Sequence, residues 1–164
     1  MSDIQNNVLA KLRQWEISYE VMEHAPVHTM EDCKIVEQHF GVPMPKNLFL
    51  TPRNQSAFYL CVVRPQISFK TADVSRQIGS SRLSFASAEK LWDLLRTLPG
   101  AISPLGLLFD EDVCVQLLMD RALQNASVLV FHPCENTASV ALTSEAFFDV
   151  FLPAVHRKPV WIDV

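Results

Sequence analysis

Ile4, Val8, Leu9 and Leu12 recur at helical spacing, and Ser2 or Asp3 can cap the start, so the chain opens with a predicted helix. Ser18 to Glu23 alternates instead, with Tyr19 and Val21 on one side, and reads as a strand that Pro26 stops. Thr29 is the cap of a second helix running towards Phe40 and closed by Gly41, where positive φ is favoured. Two apolar runs, Lys46 to Thr51 and Ala57 to Val63, flank Pro52-Arg53-Asn54-Gln55-Ser56 and predict a hairpin. A short helix over Asp73 to Ile78 ends at Gly79, and Arg82 to Phe85 forms a brief strand. Ser87 caps a helix bearing Leu91, Trp92, Leu94 and Leu95, which Pro99-Gly100 breaks. Val113 to Met119, Ser127 to Phe131 and Ser139 to Leu142 read as strands. Thr143 or Ser144 caps a last helix carrying Phe147, Phe148 and Phe151.

Strands outnumber helices and several follow one another through short links. The expected fold class is α+β: a mixed, mostly antiparallel β-sheet surrounded by helices. At 164 residues with no linker or repeat, residues 1–164 are read as a single domain. In the tail from Pro153 to Val164, Trp161 and Ile162 point to packing.

Composition narrows the class. No apolar run approaches the roughly 18 residues needed to span a bilayer. The start, Met1-Ser2-Asp3-Ile4-Gln5, lacks the basic-then-apolar pattern of a signal peptide. A soluble, cytoplasmic protein without a membrane partner is expected. Cys33, Cys61, Cys114 and Cys134 are scattered without a CxxC pair, which argues against a disulfide scaffold or a zinc site.

Charge is unevenly distributed. Residues 1–44 hold 3 Lys and Arg against 7 Asp and Glu, residues 45–96 hold 8 against 3, and residues 97–164 hold 3 against 8. A basic middle between acidic ends can present one face to a polyanion, although sequence blocks need not map onto surface patches.

Signatures of nucleotide binding, of serine hydrolases and of zinc peptidases are absent. His24 and His28 are four apart, but Pro26 between them disfavours the helix that would pair them on a metal. His132-Pro133-Cys134 ends a strand and lacks further ligands at sensible spacing. Lys46 follows Pro43-Met44-Pro45 at the start of an apolar strand, where it is either a solvated strand end or an ammonium at the lip of a pocket. Gly100-Ala101-Ile102-Ser103-Pro104-Leu105-Gly106 is either a connection or a loop whose N–H groups can approach a ligand closely.

Four segments occur in order: Lys46-Asn47-Leu48-Phe49-Leu50, Arg82 to Ser87, Gly100 to Leu107, and Phe131-His132-Pro133-Cys134-Glu135-Asn136-Thr137. Together they make the chain resemble the free-standing prolyl-tRNA editing proteins of the YbaK/aminoacyl-tRNA synthetase-associated domain superfamily, from about Glu23 to Phe151. Among these it is most similar to the branch acting on alanyl-tRNA(Pro). The resemblance implies an enzyme, an aminoacyl-tRNA deacylase that hydrolyses the ester of a mischarged tRNA(Pro) without metal or cofactor, through a ribose hydroxyl and a water. It implies that Lys46, Gly100, Ala101 and His132 serve the reaction and that Phe49, Ile102, Ser103, Pro104 and Asn136 shape or line the amino-acid pocket, with Leu105 as a further wall. Arg53, Lys70, Arg76 and Arg82 become candidates for the acceptor stem. The implied partners are the tRNA(Pro) acceptor end and, as a further candidate, prolyl-tRNA synthetase; DNA is not among them. Three alternatives remain open at this level: a deacylase for cysteinyl- or seryl-tRNA, a non-catalytic tRNA-binding module, and a metal hydrolase using His24, His28 and His132.

Overall fold

Ser2 Oγ accepts from the Gln5 N–H while the Gln5 side chain accepts from the Ser2 N–H, and this capping box opens helix α1 (Asp3–Gln14). The computed structural model describes residues 1–164. Strand β1 (Glu20–Glu23) leads to α2 (Met30–Phe40), which a second capping box, Thr29 with Asp32, starts and Gly41 at φ 73° ends. The hairpin follows as β2 (Lys46–Pro52) and β3 (Phe58–Val63), then α3 (Thr71–Ile78), β4 (Leu83–Phe85) and α4 (Ala88–Leu95). Arg96, in the left-handed region at φ 53°, ends α4 before Pro99 is reached. Beyond it, Pro104–Phe109 forms a 3-10 helix where the sequence pattern predicts no regular element. Strands β5 (Val115–Asp120), β6 (Val128–Phe131) and β7 (Ala138–Thr143) precede a C-terminal helical segment whose middle, Phe147–Phe151, is π-helical. A last strand, β8 (Val160–Ile162), gives Trp161 and Ile162 their packing.

The strands form two sheets rather than the single sheet expected. One is antiparallel in the order β1-β7-β6; the other is mixed in the order β4-β2-β3-β5-β8, with β5 parallel to both β3 and β8. The other four strand pairings are antiparallel.

Alternation along the strands assigns each sheet two buried faces. Phe49, Leu60, Val62, Leu117 and Met119 from the larger sheet meet Leu129, Phe131, Val140 and Leu142 from the smaller one in the main core. α1, α4 and the C-terminal segment complete that core through Val8, Leu12, Leu91, Leu95, Phe147 and Phe151. α3 covers the far face of the larger sheet through Val74, against Leu50, Cys61 and Leu118. α2 covers the far face of the smaller sheet through Val36, against Val130 and Ala141. These layers bring the start of β2, the end of β6 and one face of α2 to the same edge of the molecule.

Candidate active site

At that edge lies a cavity of about 320 Å³. This is at the small end of the ~300–1,000 Å³ range of small-molecule sites. Met44, Pro45, Lys46, Asn47 and Leu48 supply one wall, Met30, Cys33 and Glu37 another, and Gly100, Ile102 and His132 close it. Three segments that the sequence singled out separately, around Lys46, Gly100 and His132, therefore meet.

Each is held by a local device. Lys46 begins β2 opposite Val63 in the antiparallel pair and makes no ion pair within the chain. Gly100 has φ +90°, a conformation L-residues rarely adopt, so a glycine is required to turn the chain into the loop. Six residues on, a Cβ at Gly106 would lie 2.6 Å from the Leu95 carbonyl oxygen, so glycine there lets the loop lie against the end of α4. The N–H groups of Gly100 and Ile102 make no hydrogen bond within the chain. That of Ala101 donates to Leu98 O at 3.0 Å.

His132 is 7 % exposed and follows the last residue of β6. Its Nδ1–H donates to Ala138 O at 2.8 Å. A carbonyl can only accept, so the neutral ring carries its proton on Nδ1 and Nε2 is left as an acceptor. Burial pushes the imidazole below its ordinary range, and His24 acts in the same direction. Across the cavity, Glu37 Oε1 accepts from the Met44 N–H at 3.2 Å. Burial, with Glu37 and Asp32 nearby, pushes the Cys33 thiol up, which keeps it protonated rather than a thiolate nucleophile. Asn47 Oδ1 is buried at the cavity and has no partner within the chain, so a ligand N–H or O–H would satisfy it.

Several expected site residues lie elsewhere. Phe49 is 2 % exposed and stacks on Phe58 at 5.8 Å in the main core, two residues further along the face of β2 that carries Asn47 and beyond the cavity lining. Leu105, wholly buried, joins the same core. Ala101 is buried with its N–H occupied, so it is not a free donor. Ser103 and Pro104 do not line the cavity; Ser103 Oγ accepts from the Leu105 N–H and starts the 3-10 helix, so the pair shapes the loop. Asn136 Nδ2 donates to Val27 O at 3.0 Å and its carbonyl accepts from the Val27 N–H, tying the β6–β7 turn to the segment before α2.

Arg53, Lys70, Arg76 and Arg82 are exposed. Arg53 follows Pro52 and Arg82 precedes Leu83, which pair, so the two reach the same end of the sheet. At ~3.3 Å per residue they sit roughly 20 Å along β2 from Lys46. Arg76 is paired with Asp73 at 3.0 Å. His24, His28 and His132 form no metal-holding cluster, and no group of three or more His, Cys, Asp or Glu side chains does so. No helix is long and apolar enough to cross a membrane.

The sequence reading missed Met30, Cys33 and Glu37. Their spacing of three and four residues on α2 was the available signal, since such residues share one helical face.

Comparison with known proteins bears on this arrangement. Residues 24–150 match the family model of the aminoacyl-tRNA editing domain. The chain is 35% identical over 143 residues to the prolyl-tRNA editing protein ProX of Acetoanaerobium sticklandii, covering 87% of each chain. It is 29% identical to the mouse prolyl-tRNA synthetase associated domain-containing protein 1, covering 97% of this chain and 95% of that one. A solved structure described as a candidate trans-editing enzyme for prolyl tRNA synthetase superposes with a TM-score of 0.72 at 16% identity, over 100% of this chain and 99% of that one, which bears on the fold.

Proposed function

The chain belongs to the aminoacyl-tRNA editing domain family and is an aminoacyl-tRNA deacylase, and from that premise we propose that it removes alanine from tRNA(Pro) in trans. The observation that carries this reading is the convergence of Lys46, Gly100, Ile102 and His132 on one small cavity.

In the proposed reaction water adds to the ester carbonyl, the carbonyl–ribose oxygen bond breaks, the ribose oxygen takes a proton and free alanine leaves. The chain's contribution is position and charge, which can supply much of a rate enhancement. Lys46, without an internal counter-ion, holds the terminal phosphate or ribose at the rim. The unoccupied N–H groups of Gly100 and Ile102 face the developing oxyanion. The bare Nε2 of neutral His132 accepts from the ribose hydroxyl beside the ester. Arg53 and Arg82, too far along β2 to reach the terminal nucleotide, take phosphates further down the acceptor stem.

Selection follows from size. A synthetase pocket built for proline discriminates against a smaller side chain by only about 1–3 kcal/mol per methylene, so a second, smaller site is needed to complete the sorting. Ile102 and Leu48, among the apolar groups of the lining, would admit a methyl side chain and refuse a pyrrolidine ring. The test is a panel of alanyl-, cysteinyl-, seryl- and prolyl-tRNA(Pro) incubated with the protein. Cleavage fastest for the alanyl ester, with the prolyl ester spared, supports the reading. A preference for the cysteinyl or seryl ester reassigns the substrate, and tRNA binding without cleavage of any ester rejects the catalytic reading.

A further inference from the structure

Three strand ends of the smaller sheet lie side by side next to the cavity: His24 follows β1, Ser139 lies in β7 and His132 follows β6. Their side chains are joined. His24 Nδ1–H donates to Ala25 O at 2.8 Å, so in the neutral ring Nε2 accepts the Ser139 hydroxyl hydrogen, also at 2.8 Å. Ser139 is fully buried, and its oxygen faces His132 Nδ1 at 3.4 Å. The two imidazole rings are 6.0 Å apart between centroids. His132 lines the cavity and His24 does not.

We propose that His24 is a positioning residue for the deacylation: linked to His132 through Ser139, its imidazolium charge opposes a second charge on the His132 ring and so keeps Nε2 of His132 unprotonated in the cavity. The proposal rests on the deacylase reading for its kinetic consequence and on geometry for the rest. His24 is only half-buried, and both of its nitrogens face oxygens able to accept, so the doubly protonated ring fits once the Ser139 hydroxyl turns its hydrogen away. His132 is buried, which makes its charged form the costlier of the two. Once His24 is charged, a second charge 6.0 Å away is opposed. The other ionisable groups around His132 are Cys33 and Glu37 from α2, Lys46 from β2, and Cys134 and Glu135 on its own turn. Those around His24 are Glu23, paired with the N-terminus at 3.9 Å, and His28. Among these, His24 alone is hydrogen-bonded to the hydroxyl that faces His132.

The test is an NMR titration of the His132 ring in wild type and in His24→Gln, whose amide oxygen can still accept from Ser139 but cannot be charged. The His132 midpoint should move up by roughly one pH unit. The acid limb of kcat/KM for alanyl-tRNA(Pro) should move up with it. His24→Ala, checked for folding by circular dichroism, should shift the midpoint in the same direction. An unchanged His132 midpoint in either folded variant overturns the proposal. A shifted midpoint in a protein that cleaves no aminoacyl-tRNA supports the coupling and sinks the functional reading instead, because the ring titration needs no substrate.

Discussion

Lys46 and His132 line one cavity although they come from different sheets, Lys46 as the first residue of β2 and His132 directly after β6. The site therefore depends on how two sheets dock.

Asp110 and Arg157 form an ion pair buried on both sides, and Arg157 Nε also donates to Val115 O at 2.8 Å. Asp110 accepts from the Cys114 and Val115 N–H groups, so the pair ties the C-terminal tail to the start of β5. Arg157→Met leaves a buried carboxylate without its partner. It should cost about 3–5 kcal/mol of unfolding free energy, measured by urea denaturation, whereas removing the exposed Lys34–Glu31 pair should change it by less than about 1 kcal/mol.

Gly100→Ala and Gly106→Ala should both lower activity for different reasons. At Gly100 there is open space for a Cβ, so the cost is backbone conformation at φ +90°, about 1–2 kcal/mol. At Gly106 the added carbon meets the Leu95 carbonyl at 2.6 Å, so the loop must move away from α4, at about 1–3 kcal/mol. Thermal unfolding and deacylation together check this: stability and rate should fall in both, and an unaffected rate in Gly100→Ala removes that loop from the reaction.

Acid should act on activity and stability through His132. Its folded value is depressed by burial, so between the unfolded value near 6.5 and the lower folded value the unfolded chain binds the extra proton. Stability from this group is complete above that window and declines as pH falls through it. His132→Asn should flatten the pH dependence of unfolding between about pH 7 and 5 relative to wild type. The acid limb of the wild-type rate should lie below the ordinary histidine range.

Ile102→Ala tests the size sieve. Removing part of a cavity wall should let prolyl-tRNA(Pro) be cleaved at a rate raised by about tenfold or more relative to wild type. A variant that still spares the prolyl ester means that another group excludes the ring.

Much of this was readable from the sequence because local chemistry dictated it. Thr29 and Ser87 were legible as caps, Ser2 and Thr143 as one of two neighbouring candidates each, and all four accept an N–H bond at the start of their helices. The hairpin of β2 and β3 was set by Pro52 to Ser56. Grouping into two sheets was not legible, since β5 joins β3 in parallel only through long-range packing. β8 escaped because three residues carry too short a period, and Phe49 lies outside the cavity because only the first residues of β2 reach it, a limit set by tertiary packing. Lys46, Gly100 and His132 emerged only through their order along the chain; no spacing rule joins residues so far apart.

The central claim is that this cavity, with Lys46 at its rim, is where the ester is broken. Its most direct test is the rate of alanyl-tRNA(Pro) deacylation by Lys46→Ala beside wild type, with circular dichroism and thermal unfolding confirming an intact fold. Removing the cation should cost at least about 2.7 kcal/mol of transition-state stabilisation, a fall of a hundredfold or more, with little change in Tm. A folded Lys46→Ala protein that cleaves alanyl-tRNA(Pro) at the wild-type rate contradicts the account.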